Sequence, residues 1–231
     1  MISFAVFDLD GTLAPLGRPC QEEEAALLHK LRSRGVRLAI SSGKPTYYLC
    51  GFARQLGLED ACLVGENGGV LQDGIDLPPR HYEVAAIPEK TTLALRLLRE
   101  KMEKNFHDRI WYQPNETALT PFPANREDLI PLMELIRDFV TPEMELSVYE
   151  HSDCIDVQYA RLSKGEGIRL LSRYTGADPA TMVAVGDWVN DYAMFDAVGH
   201  SVGIRLPDPQ RATVNVSNLK AALLHILEMT N

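Results

Sequence analysis

The chain has 231 residues, 45% hydrophobic and 24% charged, an ordinary globular composition long enough for one large domain or a domain carrying an insert. Its net charge of −9 argues against a broad basic face, so neither nucleic acid nor an anionic membrane is an expected partner. The cysteines at 20, 50, 62 and 154 form no CxxC pair, and the N-terminal run is broken by Asp8 without a basic lead, so a cytoplasmic protein with reduced thiols and no signal peptide is expected.

Residues 2–7 form a short apolar run with β-branched and aromatic members, which predicts a buried strand. Ala25, Leu28 and Leu31 recur at helical spacing over 21–34, and Gly35 ends that helix. A second strand is expected at 36–40, a helix at 45–56 and a third strand at 61–64. Glu66-Asn67-Gly68-Gly69 is a strong turn signal after it. The order β-α-β-α-β is that of a parallel sheet covered by helices. The middle differs. A strand at 82–87, a helix at 88–105, one or two strands within 109–123, a helix at 126–139 and a strand pair at 145–149 and 155–159 make an α+β insert. The α/β pattern then resumes. Ser163 and Glu166 read as a capping box, so Lys164 opens a helix to about residue 174. Strands at 182–185, 201–204 and 213–216 follow, with a short helix at 189–195 and a last helix capped by Ser217.

Residues able to carry chemistry gather where strands run out, the place where open parallel sheets bind ligands. Asp8 ends the first strand, Asp10 lies two residues on, and Gly11 permits a tight turn. One carboxylate can attack phosphorus while a protonated neighbour gives a proton to the leaving oxygen. Taken alone, the same residues also suit an Asx turn closing a strand. Ser42 and Gly43 end the second strand, where a hydroxyl and a free N–H suit a phosphate oxygen or merely start a helix. Lys164 can meet transferring phosphoryl charge at a helix start or be a solvated surface lysine. Asp187, Asn190 and Asp191 follow the strand at 182–185. Their oxygens, with Asp8, would make an octahedral Mg²⁺ site, or they cap and charge-compensate a helix.

Together these signals point one way. Asp-x-Asp-Gly-Thr at 8–12, Ser-Gly at 42–43, Lys164 and Gly-Asp-x-x-Asn-Asp at 186–191 stand in an order that resembles the haloacid-dehalogenase-like (HAD) phosphatases over the whole chain. The turn at 66–69 resembles a feature of subclass IIB, whose C2-type cap lies between the second and third motifs. The resemblance implies an α/β fold: a Rossmann-like parallel-sheet core at 1–80 and 160–231, with an inserted α+β cap at 81–159. It implies that Asp8 is nucleophile and metal ligand, and that Asp10 is general acid and then base, with its carbonyl on Mg²⁺. Asp187 and Asp191 would complete the Mg²⁺ site. Thr12, Ser42, Gly43, Lys44, Lys164 and Asn190 would surround the phosphoryl group. The implied function is Mg²⁺-dependent hydrolysis of a small phosphorylated metabolite, a sugar phosphate or phosphoglycolate-like acid, by a monomer or homodimer. A phosphomutase and a non-catalytic phospho-acceptor module share the same pocket and stay open. The chain departs from the pattern twice: Lys44 stands where Arg is common, and Trp188 and Val189 stand where small residues are frequent. Arg109, Asn115 and Glu116 are the polar candidates for substrate choice in the insert.

Overall fold

A computed structural model describes residues 2–230. They resolve into two compact units, residues 2–83 with 163–230, and Val84–Leu162.

The first unit is built on β1 (Phe4–Phe7), α1 (Glu22–Ser33), β2 (Arg37–Ser41), α2 (Thr46–Gln55), β3 (Cys62–Gly65), β4 (Val70–Asp73) and β5 (His81–Val84). The second contains α3 (Glu89–Phe106), β6 (Ile110–Gln113), β7 (Ala118–Pro123), α4 (Leu129–Phe139), β8 (Leu146–Glu150) and β9 (Ile155–Tyr159). The chain then returns to the first unit with α5 (Lys164–Thr175), β10 (Met182–Gly186), α6 (Tyr192–Phe195), β11 (His200–Ile204), β12 (Val214–Val216) and α7 (Leu219–Met229).

The first unit's sheet has the order β12-β11-β10-β1-β2-β3-β4-β5, parallel from β12 to β3. All four β1 residues are buried because helices cover both faces. Ala5 and Phe7 pack with Leu28 and Leu31 of α1, Leu49 of α2 and Leu223 of α7. Phe4 and Val6 point the other way, into Ile168 and Leu171 of α5 and Met194 of α6. Strand order reverses at β1, which has β10 on one side and β2 on the other. That reversal opens a crevice at the carboxyl end of β1, where Asp8 stands.

The segment after the 66–69 turn, for which the sequence predicts no element, is β4, paired antiparallel with β3. Its residues are all buried, so it lacks the polar alternation that marks a half-exposed strand. The strand expected at 82–87 in the insert is β5, which ends at Val84 and forms the edge of the first unit's sheet. The last helix is capped by Asn218, whose side chain accepts the Ala221 N–H at 2.9 Å, and not by Ser217. Ser163 does cap α5, accepting the Glu166 N–H at 3.2 Å, but the Glu166 carboxylate turns to Arg169 and leaves the box half made.

The second unit lays α3 and α4 against a four-stranded antiparallel sheet, β6-β7-β9-β8. Its core joins Leu98, Met102, Leu132 and Ile136 of the helices to Leu119, Ile155 and Val157 of the strands. The polar residues of β9 are buried as well: Asp156 accepts from Thr120 Oγ1 at 2.7 Å, and Gln158 donates to the Leu162 carbonyl at 3.0 Å.

Candidate active site

Asp8 leaves β1 with its N–H still on the Val185 carbonyl, 2.9 Å away, so the strand holds the carboxylate's root in register with β10. The chain then turns tightly, with the Gly11 N–H on the Ala14 carbonyl at 2.8 Å. Gly11 has φ +92°, and a Cβ there would meet Asp187 Oδ2 at 2.3 Å. Glycine is therefore required both for backbone sign and for room. Gly11→Ala is expected to cost about 1–3 kcal/mol and to displace Asp187. A thermal melt of the variant beside wild type checks this.

Lys164, the first residue of α5, is buried to 1% exposure, among the most enclosed side chains of the protein. Its Nζ donates to Asp8 Oδ1 and Asp191 Oδ1, both at 2.6 Å. Asp191 is fully buried, and its Oδ2 accepts the backbone N–H of Asp187 at 2.9 Å and of Trp188 at 3.1 Å. The Thr12 hydroxyl donates to Asp187 Oδ1 at 2.9 Å. One oxygen from each of Asp8, Asp187 and Asp191 lies within 4.8 Å of the others.

Three carboxylates thus face one ammonium. Burial, helped by Asp191 and Asp187 and opposed by Lys164, pushes the Asp8 carboxyl up to about 7. Burial also raises Asp187, against the hydrogen bond from Thr12. Burial works against charge on Lys164, but Asp8 and Asp191 outweigh it and hold the ammonium above its ordinary value. The lysine therefore stays charged and the carboxylates carry the excess. A cluster of hard oxygen donors with uncompensated negative charge fits a small divalent cation, which would offset that charge.

The loop after β2 stands beside this cluster in strand order. Ser42 is buried, and its Oγ accepts the Lys44 N–H at 3.1 Å. The turn at 66–69 fastens this loop: the Asn67 N–H donates to the Ser42 carbonyl at 3.0 Å and the Glu66 N–H to the Lys44 carbonyl at 3.1 Å. Glu66, Asn67 and Gly68 all have positive φ. A Cβ on Gly68 would sit 2.3 Å from the Ser163 carbonyl oxygen, so only glycine lets the turn touch the start of α5. The turn is a brace between the Ser42 loop and the helix that presents Lys164. Its composition signalled a turn, but its bracing contacts reach across nearly a hundred positions and have no local signature.

A family model of the haloacid dehalogenase-like hydrolases matches residues 5–120 and 98–210. The chain belongs to this family. A phosphoglycolate phosphatase of Methanopyrus kandleri is 25% identical to it, over 97% of this chain and 91% of that protein. An HMP-PP phosphatase of Serratia proteamaculans is 27% identical, over 87% of this chain and 83% of that one. A haloacid dehalogenase-like hydrolase from Bacteroides thetaiotaomicron shares the fold with a TM-score of 0.80 at 17% identity, covering 98% of this chain and all of the other.

The other sequence candidates of the hydrolase are divided between its two units. Asp10 is partly exposed in the turn after Asp8 and bridges to Ala14. Asn190 is exposed in the same turn as Asp191. Lys44 holds its Nζ 6.0 Å from the centre of the Tyr48 ring. In the second unit, Arg109 pairs with Asp128 and lies over Phe106, which gives it a structural task. Asn115 accepts from Gln113 Nε2 at 2.9 Å and donates to Thr120 Oγ1 at 2.8 Å, whereas Glu116 is exposed. None of the four cysteines forms a disulfide, and no described helix is long and apolar enough to cross a membrane.

Proposed function

We propose that this hydrolase is a Mg²⁺-dependent phosphatase that acts on a small phosphorylated metabolite, of the size of phosphoglycolate or a sugar phosphate, through an aspartyl-phosphate on Asp8. The observation that carries this reading is the buried Asp8 carboxylate held 2.6 Å from Lys164 at the carboxyl end of β1, with Asp187 and Asp191 close by. A structural ion pair needs one carboxylate per ammonium; three around one lysine suit a site completed by a cation and a phosphoryl group. The archaeal phosphoglycolate phosphatases, matched over most of both chains, support the choice of reaction.

In this mechanism Asp8 forms a bond from its carboxylate oxygen to phosphorus as the bond from phosphorus to the leaving oxygen breaks. Asp10 gives that leaving oxygen its proton, then accepts one from the water that cleaves the acyl phosphate. Lys164, the Ser42 hydroxyl, the Gly43 N–H, Lys44 and Asn190 meet phosphoryl oxygens. The Thr12 hydroxyl is already engaged by Asp187, so we assign it to orient that carboxylate. Asp8, the Asp10 carbonyl, Asp187 and Asp191 would hold Mg²⁺, which supplies charge stabilisation of the phosphoryl group. The Val84–Leu162 unit is assigned the choice of substrate.

The test is phosphate release across a panel of sugar phosphates and short phospho-acids. Mg²⁺ is expected to support release from at least one, and EDTA to abolish it, with activity returning on added Mg²⁺. Undiminished release in EDTA would overturn the mechanism. Turnover of a sugar phosphate to its isomer without free phosphate would make the protein a mutase instead.

A further inference from the structure

Trp188 breaks the local rule of the turn that holds it. It precedes the helical turn Val189–Asp191 with extended backbone, φ −135° and ψ 173°. That place favours Ser, Thr, Asp or Asn, whose side chains accept the turn's free N–H groups. An indole can only donate. The turn is capped from within instead, by Asp191 Oδ2 on the N–H groups of Asp187 and Trp188. Nothing in the turn requires tryptophan.

The core does not require it either. The Trp188 side chain is 58% exposed and its neighbour Val189 51%. No ring or cation lies against the indole among the described residues. Large aromatics are ordinarily placed where their surface is covered. A residue that violates local preference without a packing gain marks a functional position.

The backbone of Trp188 is also tied to the reacting centre. Asp8 Oδ1 meets Lys164 Nζ at 2.6 Å, the same Nζ meets Asp191 Oδ1 at 2.6 Å, and Asp191 Oδ2 meets the Trp188 N–H at 3.1 Å. Trp188 also adjoins Asp187, one of whose oxygens lies within 4.8 Å of an Asp8 oxygen, so its uncovered side chain is in the neighbourhood that a leaving alcohol would occupy. Trp188 and Val189 offer that alcohol no charge and few hydrogen bonds. Such a rim penalises a highly hydroxylated or carboxylated group and rewards a planar ring, which gains from offset stacking.

We propose that Trp188 contacts the substrate by stacking on a ring in the leaving alcohol, so that the preferred substrates are phosphate monoesters of ring-bearing, aromatic or heteroaromatic, alcohols. The proposal rests on Asp8 being the nucleophile. The experiment compares kcat/KM for pyridoxal phosphate and uridine monophosphate with that for phosphoglycolate and glycerol phosphate. Wild type is expected to favour the ring esters. Trp188→Ala is expected to lose roughly tenfold on them and less than about twofold on the acyclic esters, and Trp188→Phe to recover most of the loss. A second readout needs no turnover. The chain has two tryptophans, so Trp111→Phe leaves Trp188 as the sole source of tryptophan fluorescence. Pyridoxine is expected to quench it saturably, and glycerol not at all. An equal loss on both ester classes, a wild-type preference for the acyclic esters, or no saturable quenching would overturn the role of Trp188. If wild type releases phosphate from neither class with Mg²⁺ present, the phosphatase reading falls and the proposal with it.

Discussion

Asp8→Asn protein is expected to release phosphate at least about 10⁴-fold more slowly than wild type, while melting no lower. The two halves of this expectation have separate causes. Asparagine keeps the shape of the side chain but loses the anionic oxygen that must attack phosphorus. Stability behaves differently because burial and two neighbouring carboxylates already penalise charge on Asp8, raising it from 3.8 to about 7. A neutral isostere removes that penalty, and Lys164 keeps its bond to Asp191 at 2.6 Å. The sign follows by linkage. A carboxyl raised on folding makes the native state hold a proton that the unfolded chain releases, so its effect is to lower stability as pH rises from about 4 towards about 7. In EDTA, wild type is therefore expected to lose stability across that window relative to Asp8→Asn, and the two curves to run parallel above it. Denaturant melts at a series of pH values measure the difference. An active Asp8→Asn protein would remove Asp8 from the chemistry. A strongly destabilised one would show that its charge is part of the fold.

The second large effect is expected at Lys164. Its ammonium is the cation shared by Asp8 and Asp191, at 1% exposure. Lys164→Met keeps most of the apolar stem and removes the charge, leaving Asp8, Asp187 and Asp191 facing one another. Breaking a buried ion pair from one side destabilises by about 3–5 kcal/mol, because the remaining charges lose their compensation. Saturating Mg²⁺ is expected to recover part of the loss by binding the same oxygens, and Asp8→Asn added to Lys164→Met to recover another part. Activity should stay absent in both cases. Thermal melts with EDTA and with Mg²⁺ check this, and a Lys164→Met protein as stable as wild type in EDTA would mean that the carboxylates repel less than their packing implies.

The parts of the fold with a local cause were legible in the sequence. The buried runs that became β1 and β10 follow from continuous apolar residues, and the Ser163 cap and Gly35 stop mark helix ends with their own chemistry. β4 was not legible, because three successive positive-φ residues turn the chain straight back and Val70–Asp73 is buried without alternation. β5 looked like part of the insert, since nothing in His81–Val84 says which sheet's edge it will join. The site shows the same division. Asp8, Asp10, Ser42, Lys164, Asp187 and Asp191 stand out by type at strand ends. Lys164 meets Asp8 across 156 positions and Asp191 across 27. No spacing rule foretells that one ammonium will serve both. Thr12 was grouped with the phosphoryl contacts, yet its hydroxyl lies on Asp187, a partner 175 residues away.

The most direct test is to look for the acyl phosphate itself. Asp10→Asn protein, given p-nitrophenyl phosphate and Mg²⁺, can still expel its good leaving group but lacks the base that activates water. Rapid acid quench and peptide mass analysis are expected to find a phosphoryl group on the peptide containing Asp8, with none in Asp8→Asn protein treated alike. Phosphate released by an active enzyme with no such adduct at any quench time, or an adduct on a residue other than Asp8, would contradict the mechanism.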